Sequence, residues 1–409
     1  MKAKVVIGAG FGDEGKGLFT DYLASLNEKT VVVRFNGGAQ AGHTVTTPDG
    51  KRHVFGHFTA NSFLENNKGY LSRHFLVNPF VYLSEREKLI SLGTSPTTAC
   101  HDDCFLTTPY DMLINQWLEQ SRNSSRHGSC GLGINETVNR SENEKLPLYI
   151  KDCNSESVLR EKVMQIREFF KKRISVLGLD KYLQENEVLL SDDLMENFID
   201  AIAEMKSTLI TGVNNFNHSY FAGYEIIFEG AQGLMLDQIM GDFPHVTRSN
   251  TGLKNVVEIS LENGITDLDV LYATRCYKTR HGAGVLQHEL QEKPYPMIED
   301  KTNIPNEFQG SLRFAYLDID ELTSFIDKDI QSVKPQTDGM LTINKFMGIS
   351  CLDQSNIIKY YENGRLREIP NDLFGKGMEK YGFGIYESFG PSRETIQHLK
   401  VTPKIKIKM

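Results

Sequence analysis

The sequence predicts an α/β protein, a single P-loop-like unit built on a mostly parallel sheet with helices around it. Three observations predict it. Short apolar runs recur along the chain, each run leads into a polar or glycine-rich segment, and the first is followed by a helical pattern. Lys4-Val5-Val6-Ile7 meets the glycine cluster between Gly8 and Gly17, after which Leu18-Phe19-Thr20-Asp21-Tyr22-Leu23 reads as a helix. Residues 30–35 read as a second buried strand and end in the loop from Gly37 to Thr44. Further strands are expected at 225–229, 268–273 and 339–343. Sheets of this kind bind ligands at the carboxyl ends of their strands. Residues 155–210 differ: Val158, Leu159, Val163, Ile166, Phe169 and Phe170 recur at near-helical spacing among charges, which predicts a helical insertion with a solvated outer face. No repeat or linker breaks the 409 residues, so 1–409 reads as one large domain carrying that insertion.

Composition narrows the function. Hydrophobic residues make up 40% and charged residues 24%, which suits a globular core. A net charge of -8 argues against a nucleic-acid partner, because phosphate backbones need a basic surface. No apolar run approaches membrane-spanning length and the first residues lack a signal-peptide pattern, so no membrane partner and a cytoplasmic location are expected. The six cysteines do not pair at zinc-ribbon spacing and read as free thiols.

The segment Gly10-Phe11-Gly12-Asp13-Glu14-Gly15-Lys16-Gly17 fits a phosphate loop, with Gly17 where a hydroxyl residue usually stands. Its glycines let backbone amides approach a polyphosphate, and Lys16 adds a compact cation. The hydroxyl that normally holds Mg2+ is missing, and Asp13 offers a hard oxygen in its place.

With that loop, five more motifs occur in one order along the chain: Gly37-Gly38-x-x-Ala41-Gly42-His43-Thr44, Phe228-Glu229-Gly230-Ala231-Gln232-Gly233, Val246-Thr247-x-Ser249-Asn250-Thr251, Thr279-Arg280-x-Gly282-Ala283-Gly284 and Gly390-Pro391-x-Arg393. Together they resemble the adenylosuccinate synthetase family, whose members are ligases that join L-aspartate to C6 of a purine nucleotide. The resemblance implies a 6-phosphoryl purine intermediate. A base takes the N1 proton, a triphosphate phosphorylates O6, and the amine of aspartate displaces the phosphate.

The resemblance also implies roles. Asp13 would be the base at N1 and a Mg2+ ligand, with the Gly42 carbonyl as second ligand; His43 would hydrogen-bond the moving phosphoryl group, and Lys16 and Gln232 would complete the catalytic set. The triphosphate would lie on Gly12, Asp13, Glu14, Gly15, Lys16, Gly17, Gly42, His43 and Thr44, with its base near Asn344, Lys345, Gly390 and Pro391. The purine monophosphate would meet Asp13, Gln40, Ser129, Cys130, Gln232, Thr247 and His281, the last near the ribose or in a packing role. Arg140 aligns roughly with an arginine that reaches the neighbouring subunit's nucleotide, which implies a homodimer. Gly310, Ser311, Leu312 and Arg313 would hold aspartate, with Arg313 clamping its carboxylate.

Three departures from the ordinary family bear on substrates. Lys345 stands near the place of the aspartate that accepts from the guanine of GTP, and a lysine only donates, so ATP or dATP is the expected donor. Ser311 stands where an arginine meets the ribose, which suits a deoxynucleotide. Ala39-Gln40 and the loop Ser129-Cys130-Gly131-Leu132-Gly133 also differ from the usual residues. These changes resemble the phage-type branch that converts dGMP, aspartate and ATP to N6-succino-2-amino-2′-deoxyadenylate, for 2-aminoadenine DNA. A phage-encoded chain would work in the host cytoplasm. The alternatives are an ordinary enzyme using IMP and GTP, and a nucleotide-binding regulator without catalysis.

Overall fold

The computed structural model describes residues 1–122, 130–186, 190–299, 311–337, 339–399 and 406–408. The apolar runs fold as Lys2–Gly8, Thr30–Arg34, Glu225–Gly233, Asp267–Arg275 and Thr342–Ser350, all in one sheet. That sheet has eleven strands in the order Ile396–Leu399, Gly384–Ser388, Thr342–Ser350, Asp267–Arg275, Lys2–Gly8, Glu225–Gly233, Thr30–Arg34, Lys68–Leu71, Thr97–Cys100 and Leu209–Ile210, with Lys406–Lys408 paired to Thr342–Ser350. Ile396–Leu399 and Lys406–Lys408 pair antiparallel; the other pairings are parallel. The expected mostly parallel α/β fold is therefore present.

Parallel strands are covered on both faces, which is why the central ones read as unbroken apolar runs. Thr30–Arg34 is buried at every position. On one face, helices Leu253–Glu262 and Ile319–Thr337 bring Leu253, Val256, Ile326 and Ile330 onto Val5, Ile7 and Val270. On the other, helix Lys16–Ser25 lays Leu18, Phe19 and Leu23 on Val6, Val32 and Leu271. Gly348 lets that helix lie close, since a Cβ there would come within 2.9 Å of Phe19.

Residues 156–206 contain helices Glu156–Val176, Asp180–Glu185 and Asp192–Lys206. Leu159, Val163, Ile166, Phe170 and Ile174 form the buried stripe of the first, while Val158, which the periodicity grouped with them, is 38% exposed. A smaller sheet of Tyr277–Arg280, Arg313–Asp318, Ile357–Glu362 and Arg365–Pro370, with Glu289–Leu290 on Arg313–Asp318, carries the aspartate-side segment. Among the described residues no helix is long and apolar enough to cross a membrane.

The strand expected at 339–343 begins at Thr342 and continues to Ser350. Its register sets Lys345 level with Val270 and so with Val5, and Gly348 level with Ala273 and Gly8. Where this strand ends decides the reading of one substrate pocket.

Candidate active site

The glycine loop leaves the carboxyl end of Lys2–Gly8 and turns into helix Lys16–Ser25 through Gly15, which takes φ 86° and carries no side-chain cap. The first amides of that helix have no capping side chain, the arrangement that receives an anion. The loop is drawn together by its own acid. Glu14 Oε1 accepts from the amides of Gly10 and Gly12 at 3.0 and 2.7 Å, and its Oε2 accepts from Lys16 Nζ at 3.0 Å. Lys16 also donates to the Gly12 carbonyl. Glycine at 17 is required sterically, since a Cβ would come 2.7 Å from the Thr44 carbonyl.

Asp13 presents a partly exposed carboxylate at the rim of this loop. Its Oδ2 lies 3.3 Å from His281 Nε2, and its backbone carbonyl accepts from Arg275. Burial raises the Asp13 pKa, but His281, Arg275 and Lys16 outweigh it and hold the group below the usual carboxylate range. His43 begins the hairpin strand His43–Thr46 and is buried, with Nδ1 2.7 Å from Glu229 Oε1. Burial pushes its pKa down to about 4, against the opposing pull of Glu229. Gln232 ends Glu225–Gly233 at φ 63°, a left-handed conformation that costs a non-glycine residue of the order of 1 kcal/mol.

These residues converge on one cleft of about 590 Å3, a volume suited to a nucleotide-sized ligand. Asp13, Gly12, Gly42, His43, Gln232 and Gln40 line one wall. Thr247, His281 and Cys130 line it as well. Gln40 has both ends of its amide buried without a protein partner, the condition a bound polar ligand would relieve. The Gly390–Pro391 turn follows strand Gly384–Ser388, and Arg393 just beyond it bonds both oxygens of Asp21 on the loop's own helix at 3.1 and 3.0 Å.

Four expectations change. Arg140 is wholly buried: its fork bonds Asp111 at two points of 3.0 Å and it donates to the carbonyls of Leu106 and Leu146. It has no reach toward a nucleotide, and the homodimer argument loses the residue it rested on. Asn344 and Lys345 lie inside the strand. Lys345 stands three residues short of the level of Gly8, about 10 Å at strand spacing, and packs its ammonium over Phe383. Asn344 donates to Asp269 at 2.8 Å. The strand end is Ser350, whose hydroxyl donates to the Glu14 carbonyl at 3.1 Å, and the carboxylate that follows is Asp353, its pKa raised by burial. Taking Lys345 for the residue in the aspartate's place was an error of register, caused by ending an apolar strand too early. Arg313 already gives its fork to Glu289 and donates to the carbonyls of Gly282 and Gly284 at 3.0 and 2.9 Å, so an incoming carboxylate must displace Glu289. Ser311 and Leu312 lead into its strand. Ser129 and Gly310 lie outside the described residues.

The Asp13 carboxylate and the Gly42 carbonyl share the cleft wall, and among the described residues no group of three His, Cys, Asp or Glu could hold a metal. One ionised carboxylate plus a carbonyl fits Mg2+, which binds through one or two protein oxygens and completes its shell with phosphates and water.

Sequence reading did not name Glu229, Arg280 or Arg248 as site residues. Glu229 and Arg280 sit inside the quoted motifs, and the signal for Glu229 was an acid on a buried strand beside Arg34. Arg280 is buried with its guanidinium 4.3 Å from the Phe11 ring, in the cleft wall. Arg248 is the unnamed position of Val246-Thr247-x-Ser249, whereas Asn115 reaches the cleft only through tertiary folding.

The sequence profile of the adenylosuccinate synthetase family matches residues 5–313. Adenylosuccinate synthetase of Clostridium perfringens is 31% identical over 329 residues, 78% of this chain and 73% of that one. The enzyme of Clostridium beijerinckii is 30% identical over 305 residues, 74% and 69% of the two chains. Among solved structures, fully ligated adenylosuccinate synthetase of Plasmodium falciparum superposes with TM-score 0.76 at 17% identity, covering 97% of this chain and 100% of that one. Cyanophage S-2L succinoaminodeoxyadenylate synthetase, bound to dGMP and dATP as an energy donor, superposes with TM-score 0.63 at 12% identity, covering 97% and 95%.

Proposed function

The chain belongs to the adenylosuccinate synthetase family of carbon–nitrogen ligases, and from that premise we propose that it joins L-aspartate to C6 of a 6-oxopurine nucleoside monophosphate. Enzymes of this family bind a purine monophosphate, a nucleoside triphosphate and aspartate, and use Mg2+. The observation that carries the reading is the meeting of Asp13, His43, Lys16's loop and Gln232 at one cleft. Asp13, held as carboxylate, takes the N1 proton, so that O6 becomes a nucleophile. Lys16 and the uncapped helix start hold the triphosphate, and His43, backed by Glu229, faces the group in transit. O6 attacks the γ-phosphorus and the nucleoside diphosphate leaves; the aspartate amine then adds at C6, loses a proton and expels phosphate. Asp13 and the Gly42 carbonyl would hold Mg2+, which when bound would supply positive charge to the group being transferred. Gln232 reads the purine edge, Thr247, Gln40 and Cys130 face the monophosphate, and Arg313 takes the aspartate carboxylate after leaving Glu289. The triphosphate base lies by the strand ends at Ser350–Asp353 and Gly390–Pro391.

A second, narrower reading makes dGMP the purine. Ser311, in place of a cation beside the ribose, favours it, and the fold is one that the cyanophage enzyme bound to dGMP and dATP shares with the ordinary synthetases. ATP as donor no longer draws on Lys345; Asp353 at the strand end is an acceptor of the kind a guanine base uses. The test pairs IMP, GMP or dGMP with ATP or GTP in the presence of aspartate and Mg2+, and measures phosphate and product mass. The ligase reading expects aspartate-dependent phosphate and a succino-purine from at least one pair. Triphosphate binding without product in every pair would instead mark a nucleotide-binding regulator. Product from dGMP and none from IMP supports the narrower reading; product from IMP alone rejects it.

A further inference from the structure

The phosphate loop holds an anion of its own. Glu14 is buried, and its carboxylate takes three donors that a phosphate would use: the amides of Gly10 and Gly12 and the Lys16 ammonium. The place is built for it. A Cβ at Gly8 would lie 2.5 Å from Glu14 Oε2, and Cβ atoms at Gly10 and Gly233 would lie 3.0 and 2.9 Å from Oε1. Glycine at these positions leaves the room that the carboxylate fills. Lys16 is itself buried, and its ammonium donates to this acid and to the Gly12 carbonyl.

We propose that Glu14 is the resident counter-anion of the loop, a positioning residue that parks Lys16 and lowers the loop's affinity for polyphosphate. The proposal rests on the reading that this loop receives the triphosphate. A negative charge 3.0 Å from the ammonium cancels much of the field that would attract phosphate. It also keeps the empty loop folded, because buried amides and a buried ammonium need an acceptor. On binding, the terminal phosphate draws Lys16 away from Glu14. On release, Glu14 takes Lys16 back, which favours departure of the diphosphate. No bond is made or broken in this exchange.

Glu14→Gln tests it. Glutamine keeps an acceptor for the two amides but removes the charge. With binding measured calorimetrically using a non-hydrolysable ATP or GTP analogue and pyrophosphate, the variant should bind about tenfold more tightly than the parent. Equal or weaker binding overturns the proposal. Binding of neither analogue by the parent protein would fail the triphosphate reading itself. A second variant, Glu14→Ala, covers poor folding of the first. It leaves a carboxylate-sized space, so added acetate should raise both its melting temperature and its apparent Kd for pyrophosphate, with no such effect on the parent. Acetate without effect on Glu14→Ala overturns the proposal.

Discussion

Two buried arginines, Arg34 and Arg140, have the same exposure and opposite bonding. Both are 0% exposed. Arg140 gives every arm of its guanidinium to Asp111 and to two carbonyls. Arg34 makes one bond of 3.3 Å to the Phe58 carbonyl, leaves Nε and Nη2 without a protein partner, and lies near Glu229, the acid behind His43. A buried charge that is fully bonded is scaffold. A buried charge whose side-chain bonding is largely unspent, beside the acid that meets His43, differs from it in kind. Residue type alone does not separate the two: the sequence offers an arginine in each place, and the family resemblance pointed to Arg140, the scaffold one.

The largest expected effect breaks the scaffold side. Arg140→Ala strands Asp111 in the interior and should cost about 3–5 kcal/mol of stability, read by denaturant unfolding. A small loss would mean that Arg140 is not held as described. On the other side, Glu229→Gln should lower turnover about 100-fold, some 2.7 kcal/mol in barrier, with a much smaller change in melting temperature. A large fall in melting with normal turnover in the folded fraction would make Glu229 scaffold as well. Next in size is donor choice. Asp353→Asn should shift the ratio of kcat/KM for GTP over ATP, while Lys345→Asp should leave that ratio unmoved; the reverse pattern would restore the discarded strand register.

A separate effect is a pH dependence of stability away from the cleft. Asp329 accepts from the Leu253 amide and the Tyr272 hydroxyl, yet burial pushes its pKa up to about 7. A carboxyl raised in the folded state contributes stability below its unfolded pKa, near 4, and loses it as pH rises through 7. Asp329→Asn keeps an acceptor for Leu253 and removes the ionisation, so the variant should gain on the parent between pH 5 and pH 8. Parallel curves across that range would contradict the assignment.

The sheet was legible because parallel strands buried on both faces read as apolar runs: Val31-Val32-Val33 and Val5-Val6-Ile7 are unmistakable. Lys68–Leu71 and Thr97–Cys100 were not, being short and begun by polar residues. The glycine loop and Asp13 were legible because their chemistry is local in sequence. The polar pair Asn344-Lys345 hid the true end of its strand, because it interrupts the apolar run that the strand carries on to Ser350. Glu289 on Arg313 and His281 on Asp13 are contacts between segments, and no spacing rule announces them.

If Asp13 frees O6 of a purine to take a phosphoryl group, that oxygen leaves with the phosphate. A purine monophosphate carrying 18O at C6, incubated with aspartate, triphosphate and Mg2+, shows this by mass analysis of the phosphate released. One 18O atom is expected in each phosphate and none in the succino-purine, with both products lost in Asp13→Asn. Phosphate free of 18O, formed at the same rate without aspartate, would contradict it.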